Sequence, residues 1–374
     1  MPFTYYSKEN WESLNLTLSP QLVLSTVRQT MKELQTGQAA SIKTCLKHDN
    51  GPSNGNNDAY SRTNALLGST ATYTGSKTVF SNMLNRQNGL PRSSSVITIA
   101  RRSDNIPLCA MEGTDISNAR TAANAVLFIE RVFASRRGMT VHIYGTGPVS
   151  DWIIEMLPLL PEGAVEIVKV KSGGGKSCAA FVKRHKGKGS FMLERMVEVP
   201  EFEADVVIEV TDSMEPMVGR KHVKSDGAVL NLGHDGVKTE VIQGVIEKGG
   251  NIIVDDLENC FARMVQSFPL YCKKKVQERG VQGEGAQMDV AKAMAGKLGV
   301  RNFYDVTEAD VKGFEGVVLA TFVGLACFDV AVAGRMFEMI SREKAGGSGR
   351  GEGSGRKSGG CWNVLWCSRE VKEK

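Results

Sequence analysis

Leu22, Val23, Val27, Met31 and Leu34 recur at the three- and four-residue spacing of one helix face, behind a Ser19-Pro20 start, which predicts a helix over 19–36. Residues 47–61 carry no such pattern and read as a loop of Asn, Gly, Ser and Asp. From 62 to 115 short runs such as Ala71–Tyr73, Thr78–Phe80 and Val96–Ile99 alternate with Gly, Ser, Asn and Pro, the texture of strands. Helical spacing returns over Ser117–Ser135. Beyond it, Val141–Tyr144, Val165–Val170, Val206–Val210, Ala228–Asn231 and Ile252–Val254 are short, mostly apolar strands separated by helix-length stretches. That alternation predicts a parallel sheet covered on both faces. The stretch 281–313 is polar with some helical periodicity. Val317–Ile340 reads as an apolar Ala- and Gly-rich helix that packs back onto the first domain or a partner subunit. From Ala345 to Gly360 the chain is rich in Gly, Ser, Arg and Lys, a disordered linker by composition, followed by a small apolar island at Cys361–Cys367.

Composition narrows the classes. The 374 residues are 41% hydrophobic, enough for two to three domains with sizeable cores. The net charge of +5 is concentrated from Arg342 onward, which leaves the body nearly neutral and gives no reason to expect a nucleic-acid or membrane partner. The longest apolar stretch, about Gly316–Gly334, is broken by Asp329 and lacks membrane-span character. Eight scattered cysteines show neither zinc-finger nor Cys-x-x-Cys spacing, and the five histidines form no ligand pair, so no metal is expected. Free thiols and an N-terminus without a signal-peptide pattern point to the cytosol.

The candidate chemistry begins at Thr140–Ser150. A β-rich run breaks on Gly145-x-Gly147 and enters a helical pattern at Pro148-Val149. One glycine permits the tight turn, the next lets backbone approach a pyrophosphate, and the helix N-terminus offers unpaired N–H groups. The next strand ends in Lys169-Val-Lys171-Ser172-Gly-Gly-Gly-Lys176, where an NAD enzyme places an acid on the ribose hydroxyls. Lysines and a serine there suit a 2′-phosphate, which favours NADP(H). Asp235 follows the strand Ala228–Asn231, at the sheet edge where open parallel sheets bind ligands, and is the candidate general base. His234 beside it is a candidate proton relay.

Three further segments resemble the ornithine cyclodeaminase/mu-crystallin family. They are Pro107–Val126 centred on Arg120-Thr121-Ala-Ala, Leu230-Asn-Leu232-Gly-His-Asp235-Gly-Val-Lys238-Thr-Glu240, and Phe322-Val323-Gly324-Leu-Ala-Cys-Phe-Asp329. Gly145-x-Gly147 lies between the first two. Gly89-Leu-Pro-Arg92 and Met111-Glu112-Gly-Thr are similar to the branch of 2,3-diaminopropionate-forming dehydrogenases that cleave an N-(2-amino-2-carboxyethyl)glutamate adduct. The resemblance implies that Lys43, Arg62 and Lys77 grip the substrate α-carboxylate, with Lys77 and Asp235 catalytic and Val323 against the substrate. It implies that Arg120, Thr121, Gly145, Gly147, Pro148, Val149, Lys169, Ser172, Thr211, Leu232, Lys238 and Gly324 hold the cofactor. The chain departs from the family at Asn64–Gly68, at Pro148-Val149, where Ala-Gln is frequent, and at Phe322, where a hydroxyl residue is common.

These readings define an α/β protein: a Rossmann-type doubly wound parallel sheet over 127–314 plus an α+β substrate-binding and dimerisation domain from 1–126 and 315–344, with 345–374 as tail. The expected activity is NAD(P)-dependent oxidoreduction at the C–N bond of an α-amino acid or its N-alkyl adduct, in a homodimer. The alternatives are a redox-neutral ornithine or lysine cyclodeaminase that releases ammonia, and a mu-crystallin-like NADPH-binding protein or ketimine reductase.

Overall fold

The computed structural model describes residues 3–48, 61–173, 175–196, 203–211, 213 and 215–347. Most of the expected loop at 47–61, and the tail beyond 347, lie outside the described residues.

The first domain is a six-stranded sheet in the order β1-β6-β5-β4-β3-β2. Its strands are β1 (Thr4–Tyr6), β2 (Ala40–His48), β3 (Ser61–Ser69), β4 (Tyr73–Asn82), β5 (Ser93–Arg101) and β6 (Pro107–Glu112). β2 to β6 run as an antiparallel meander, and β1 joins β6 in parallel. The short helix α1 (Lys8–Glu12) precedes α2 (Pro20–Gln35), which is capped by Ser19 and carries the expected apolar stripe. α2 and α3 (Thr114–Val132) pack together on this domain.

The second sheet is the expected parallel one and has eight strands, all in parallel register: β7 (Met139–Tyr144), β8 (Val165–Lys171), β9 (Met192–Arg195), β10 (Ala204–Glu209), β11 (Val223–Asn231), β12 (Ile252–Val254), β13 (Arg301–Asn302) and β14 (Val318–Thr321). The order β13-β12-β14-β11-β10-β7-β8-β9 runs outward from β7 in one direction and from β10 in the other. The crevice at the carboxyl ends of β7 and β10 is therefore the topological switch point, where such sheets bind ligands. The crossovers and covering helices are α4 (Pro148–Met156), α5 (Gly175–His185), α6 (Thr239–Glu247), α7 (Leu257–Arg263), α8 (Ser267–Glu278), α9 (Glu284–Lys297) and α10 (Glu308–Lys312).

Two boundaries differ from expectation. Val318–Thr321, read as the start of a long apolar helix in the first domain, is strand β14 between β11 and β12. A strand buried on both faces is apolar at every position, so periodicity alone cannot separate it from a buried helix. The chain returns to the first domain only with α11 (Ala326–Gly347), which packs on β3, β4 and β5 and continues past the expected tail start at 345.

Candidate active site

A cleft of about 250 Å³ opens between the inner face of the six-stranded sheet and the carboxyl edge of the parallel one. Its floor is set by strand register. Lys43 pairs across to Leu66 and Leu66 to Lys77, so these three share one row on one sheet face. Arg62 and Ser81 form the row four residues along. Among the candidate residues singled out from the sequence, Lys43, Arg62, Lys77, Arg120, Thr121, Val149, Thr211, Leu232, His234 and Val323 line this cleft.

At its base Lys77, on β4, donates to Asp329 Oδ1 at 2.8 Å and to Ser117 Oγ at 2.9 Å. Arg120, on α3, donates through Nε to the same Asp329 oxygen at 3.1 Å. Asp329 projects from α11 and is fully buried. Two cations thus share one carboxylate in a dry site, and Arg120 Nη1 is buried without a partner among the described residues. Burial, then the Arg120 charge, brings the Lys77 pKa down to about 8. The two cations, in turn, hold Asp329 below the usual carboxylate range despite its burial. Lys43, on β2, is pushed well below a normal lysine by desolvation and by Arg263, Lys77 and Arg120.

The opposite wall is the switch point. A Cβ at Gly145 would lie 2.8 Å from the Val210 carbonyl oxygen, and its φ of +123° suits glycine alone. Gly147 caps α4 without a side-chain hydrogen bond, Pro148 takes the first helical position, and nothing stands within 4 Å of a Cβ built on Gly147. Open space before free helix N–H groups fits a pyrophosphate. At the end of β8, Ser172 Oγ lies 2.5 Å from Ser177 Oγ, which accepts from Thr146 Oγ1 at 3.3 Å. Lys169 sits further back in the strand, 3.7 Å from Glu194, so Lys171 is the lysine at the strand end. Gly324, at φ +85°, presses on Arg120, whose Nη1 would lie 2.5 Å from an added Cβ.

The turn after β11 presents His234 to the cleft, with Asp235 half-buried beside it and outside the cleft lining. Arg62 Nη2 lies 3.2 Å from His234 Nε2. A guanidinium only donates, so Nε2 accepts and the ring proton sits on Nδ1. Desolvation and the surrounding Arg263, Arg62, Arg92 and Lys43 lower the His234 pKa to about 3. Lys238, expected at the cofactor, is exposed at the N-cap of α6 and, like Gly145 and Gly147, outside the lining of this cleft.

Two buried carboxylates were missed in the sequence. Glu209 ends β10 fully buried, accepting from Thr211 N, Thr211 Oγ1 and Asn231 Nδ2 at 2.8, 2.6 and 2.6 Å. A Cβ on Gly233 or Gly236 would strike its carboxylate, so Glu209 packs under the His234 turn. Asp255, after β12, accepts from Gly324 N at 2.5 Å and fixes the Val323-Gly324 segment; burial brings its pKa up to about 6. The available signal was an acid ending an apolar strand, a position that demands hydrogen-bond partners.

The sequence profile of the ornithine cyclodeaminase/mu-crystallin family matches residues 61–343. The N-((2S)-2-amino-2-carboxyethyl)-L-glutamate dehydrogenase of Staphylococcus aureus is 23% identical over 263 residues, 69% of this chain and 71% of that protein. The Thermococcus litoralis Δ1-pyrroline-2-carboxylate reductase, solved with NADH and L-proline, superposes with a TM-score of 0.69 at 18% identity, covering 91% of this chain and 98% of that one. An archaeal alanine dehydrogenase dimer with bound NAD gives a TM-score of 0.69 at 21% identity over 92% and 98%. With a Rossmann switch point facing a lysine- and arginine-lined cleft, the chain belongs to the ornithine cyclodeaminase/mu-crystallin family and is a nicotinamide-dependent enzyme of amino-acid metabolism.

Proposed function

We propose that the protein transfers a hydride at the carbon–nitrogen bond of an α-amino acid or its N-alkyl adduct, in the making of a non-proteinogenic amino acid or secondary metabolite, as a 2,3-diaminopropionate-synthase-like enzyme. The observation that carries this reading is the Lys77–Asp329–Arg120 cluster. Two buried cations share one carboxylate, and Nη1 of the cleft-lining Arg120 is buried without a partner among the described residues. An uncompensated buried charge costs several kcal/mol, and an arriving substrate carboxylate removes that cost. Arg120 and Lys43 take the carboxylate.

Lys77 then has the proton role. An ammonium has three N–H groups. Ser117 and Asp329 take two, which leaves the third for a substrate in the cleft that Lys77 lines. With a pKa near 8, Lys77 exchanges that proton with the substrate nitrogen near neutral pH. Asp235, the base expected from the sequence, lies off the cleft lining.

The nicotinamide cofactor supplies or accepts the hydride. Gly145, Gly147, Val149, Thr211, Leu232 and Val323 would hold it, with Gly324 behind. Lys171 and the Ser172–Ser177 hydroxyls, with no acid at the end of β8, favour NADP(H). We also propose a homodimer. Ile42, Leu46, Leu67 and Phe80 stand on the outer face of β2–β4, opposite the cleft row, and are about half exposed or more. Four large exposed apolar side chains on one sheet face suit a protein interface, and an alanine dehydrogenase of the same fold is a dimer.

Incubation with 4-deuterated NADPH or NADH, a panel of 2-oxo acids and an amine donor tests the reaction. Deuterium at Cα of the amine product is expected. Cofactor left unoxidised across the panel, together with no NAD(P)⁺ reduction by amino acids, would overturn it.

A further inference from the structure

The chain crosses from the parallel sheet back to the first domain through a short connection, Phe322 to Leu325, between the end of β14 and the start of α11. Val323 lines the cleft from this connection. Gly324 follows at φ +85°, so close to Arg120 that a Cβ would stand 2.5, 2.8 and 3.0 Å from Nη1, Nη2 and Cζ of the guanidinium. The connection then leads into α11, which carries Asp329, the shared acceptor of Lys77 and Arg120. Where it sits therefore sets where several cleft groups sit.

Its first half is pinned by three contacts. Phe322 N donates to the Asn231 carbonyl at 3.0 Å, Gln266 Nε2 to the Phe322 carbonyl at 2.8 Å and Arg263 Nη1 to the Val323 carbonyl at 3.2 Å. Asp255 takes the other half. Val254 pairs with Thr321, so Asp255 leaves β12 beside the connection. Its Oδ2 accepts from Gly324 N at 2.5 Å and its Oδ1 from Asp256 N at 3.1 Å, and the Val323 N–H adds to the same buried carboxylate. A carboxylate accepts all of these at once, whereas an amide has one acceptor oxygen and turns an NH₂ on the rest. The groups that sense its charge are Arg120 on α3, Lys43 on β2, Cys260 on α7, Cys327 on α11, Tyr304 and the adjacent Asp256. Burial outweighs the backbone donors and brings its pKa up to about 6, so Asp255 is charged at neutral pH and mostly protonated at pH 5.

We infer that Asp255 is a positioning residue of the reaction, whose carboxylate holds the Val323–Gly324 connection where Val323 meets the nucleotide and Gly324 backs the Arg120 guanidinium. This rests on the proposed function and adds to it a group outside the cleft lining that acts through backbone. Protonation turns one of its oxygens into a donor and takes the charge assistance from the bonds to Gly324 and Val323. The connection then loosens while the strands beside it keep their pairing. A role confined to stability would not tie nucleotide affinity to this one titration.

Two measurements on the full-length protein test this without turnover. Amide hydrogen exchange over 322–326 reads the hold itself. Corrected for the intrinsic pH dependence of exchange, wild-type protection should fall at least fivefold from pH 7.5 to pH 5, while β10 and β11 keep theirs. Calorimetry reads the consequence: affinity for NADH, which has no 2′-phosphate to titrate, should fall at least fivefold over the same interval. Where only NADPH binds, the fall is counted beyond that of Asp255→Asn. Asp255→Asn should give low protection and weak binding at both pH values. Lys43→Met should keep the wild-type inflection near pH 6. Should Asp255→Asn not fold, the wild-type and Lys43→Met curves decide. Wild-type protection independent of pH, an inflection that survives in Asp255→Asn, or one lost in Lys43→Met would overturn the inference. Protection that falls while affinity holds would leave Asp255 a purely structural group and overturn it too. If neither nucleotide binds at pH 7.5, the proposed function fails and the positioning role with it, while exchange still decides whether Asp255 holds the connection.

Discussion

Lys77 is the residue on which the chemistry turns. Its pKa near 8 gives opposite limbs in the two directions. Oxidation needs the neutral amine, so kcat/KM should rise as pH climbs through about 8. Reduction needs the ammonium, so kcat/KM should fall through the same inflection. Initial rates in both directions between pH 6 and 10 check this, and a shared inflection far from 8 would remove Lys77 from the proton path. Lys77→Met should lower kcat by more than about 10²-fold, the usual scale of general acid–base catalysis. Lys77, Arg120 and the glycines were legible because local patterns and a family resemblance mark them. Asp329 is visible in the sequence as a charge interrupting an apolar run and as the end of a family-resembling segment, with no role attached. That it serves β4 and α3 together depends on three elements meeting, which no local pattern encodes.

At the scale of elements, the turn between β11 and α6 carries two of the candidate residues. The sequence marks a turn after a buried strand, and both His234 and Asp235 belong to it. Which of them faces the cleft is decided by Glu209 beneath, together with Asn231, which donates to the His234 carbonyl at 3.0 Å. Glu209→Gln keeps the shape but turns an amide NH₂ toward donors, which should cost about 1–3 kcal/mol in urea-unfolding stability. Stability unchanged within error would mean the carboxylate does not hold the turn. The end of β8 carries a second prediction. Lys171→Ala should weaken NADPH binding about tenfold and leave NADH within twofold, measured by fluorescence titration; equal losses would count against a 2′-phosphate. β14 escaped sequence reading for a different reason, being too short and too uniformly buried to show a period.

Across the whole molecule, acid should weaken the fold. His142, His222 and His234 have pKa values lowered to about 4, 4 and 3, chiefly by burial. The unfolded chain takes up these protons near pH 6.5 and the folded one does not, so stability present at neutral pH falls as pH drops toward 4. Each histidine removes about 1.4 kcal/mol per pH unit at most. Asp255, raised to about 6, and Glu209, also raised, titrate in the opposite sense and offset part of the loss. Urea unfolding at pH 7 and pH 5 should therefore show a loss of several kcal/mol at pH 5, and equal stability would contradict the buried neutral imidazoles. The outer sheet face belongs to this scale too. Sedimentation should give a dimer, and Leu46→Lys with Phe80→Lys should give a monomer; a wild-type monomer would leave that face without its proposed partner.

Every role assigned to the cleft presupposes a dinucleotide lying over the turn Gly145–Gly147. Calorimetric titration of the purified protein with NADPH and NADH addresses this without any substrate. One site per chain with micromolar affinity for at least one nucleotide, lost in Gly147→Val, is the expected result. Absence of heat with both nucleotides at millimolar concentration, or binding that Gly147→Val leaves intact, would contradict it.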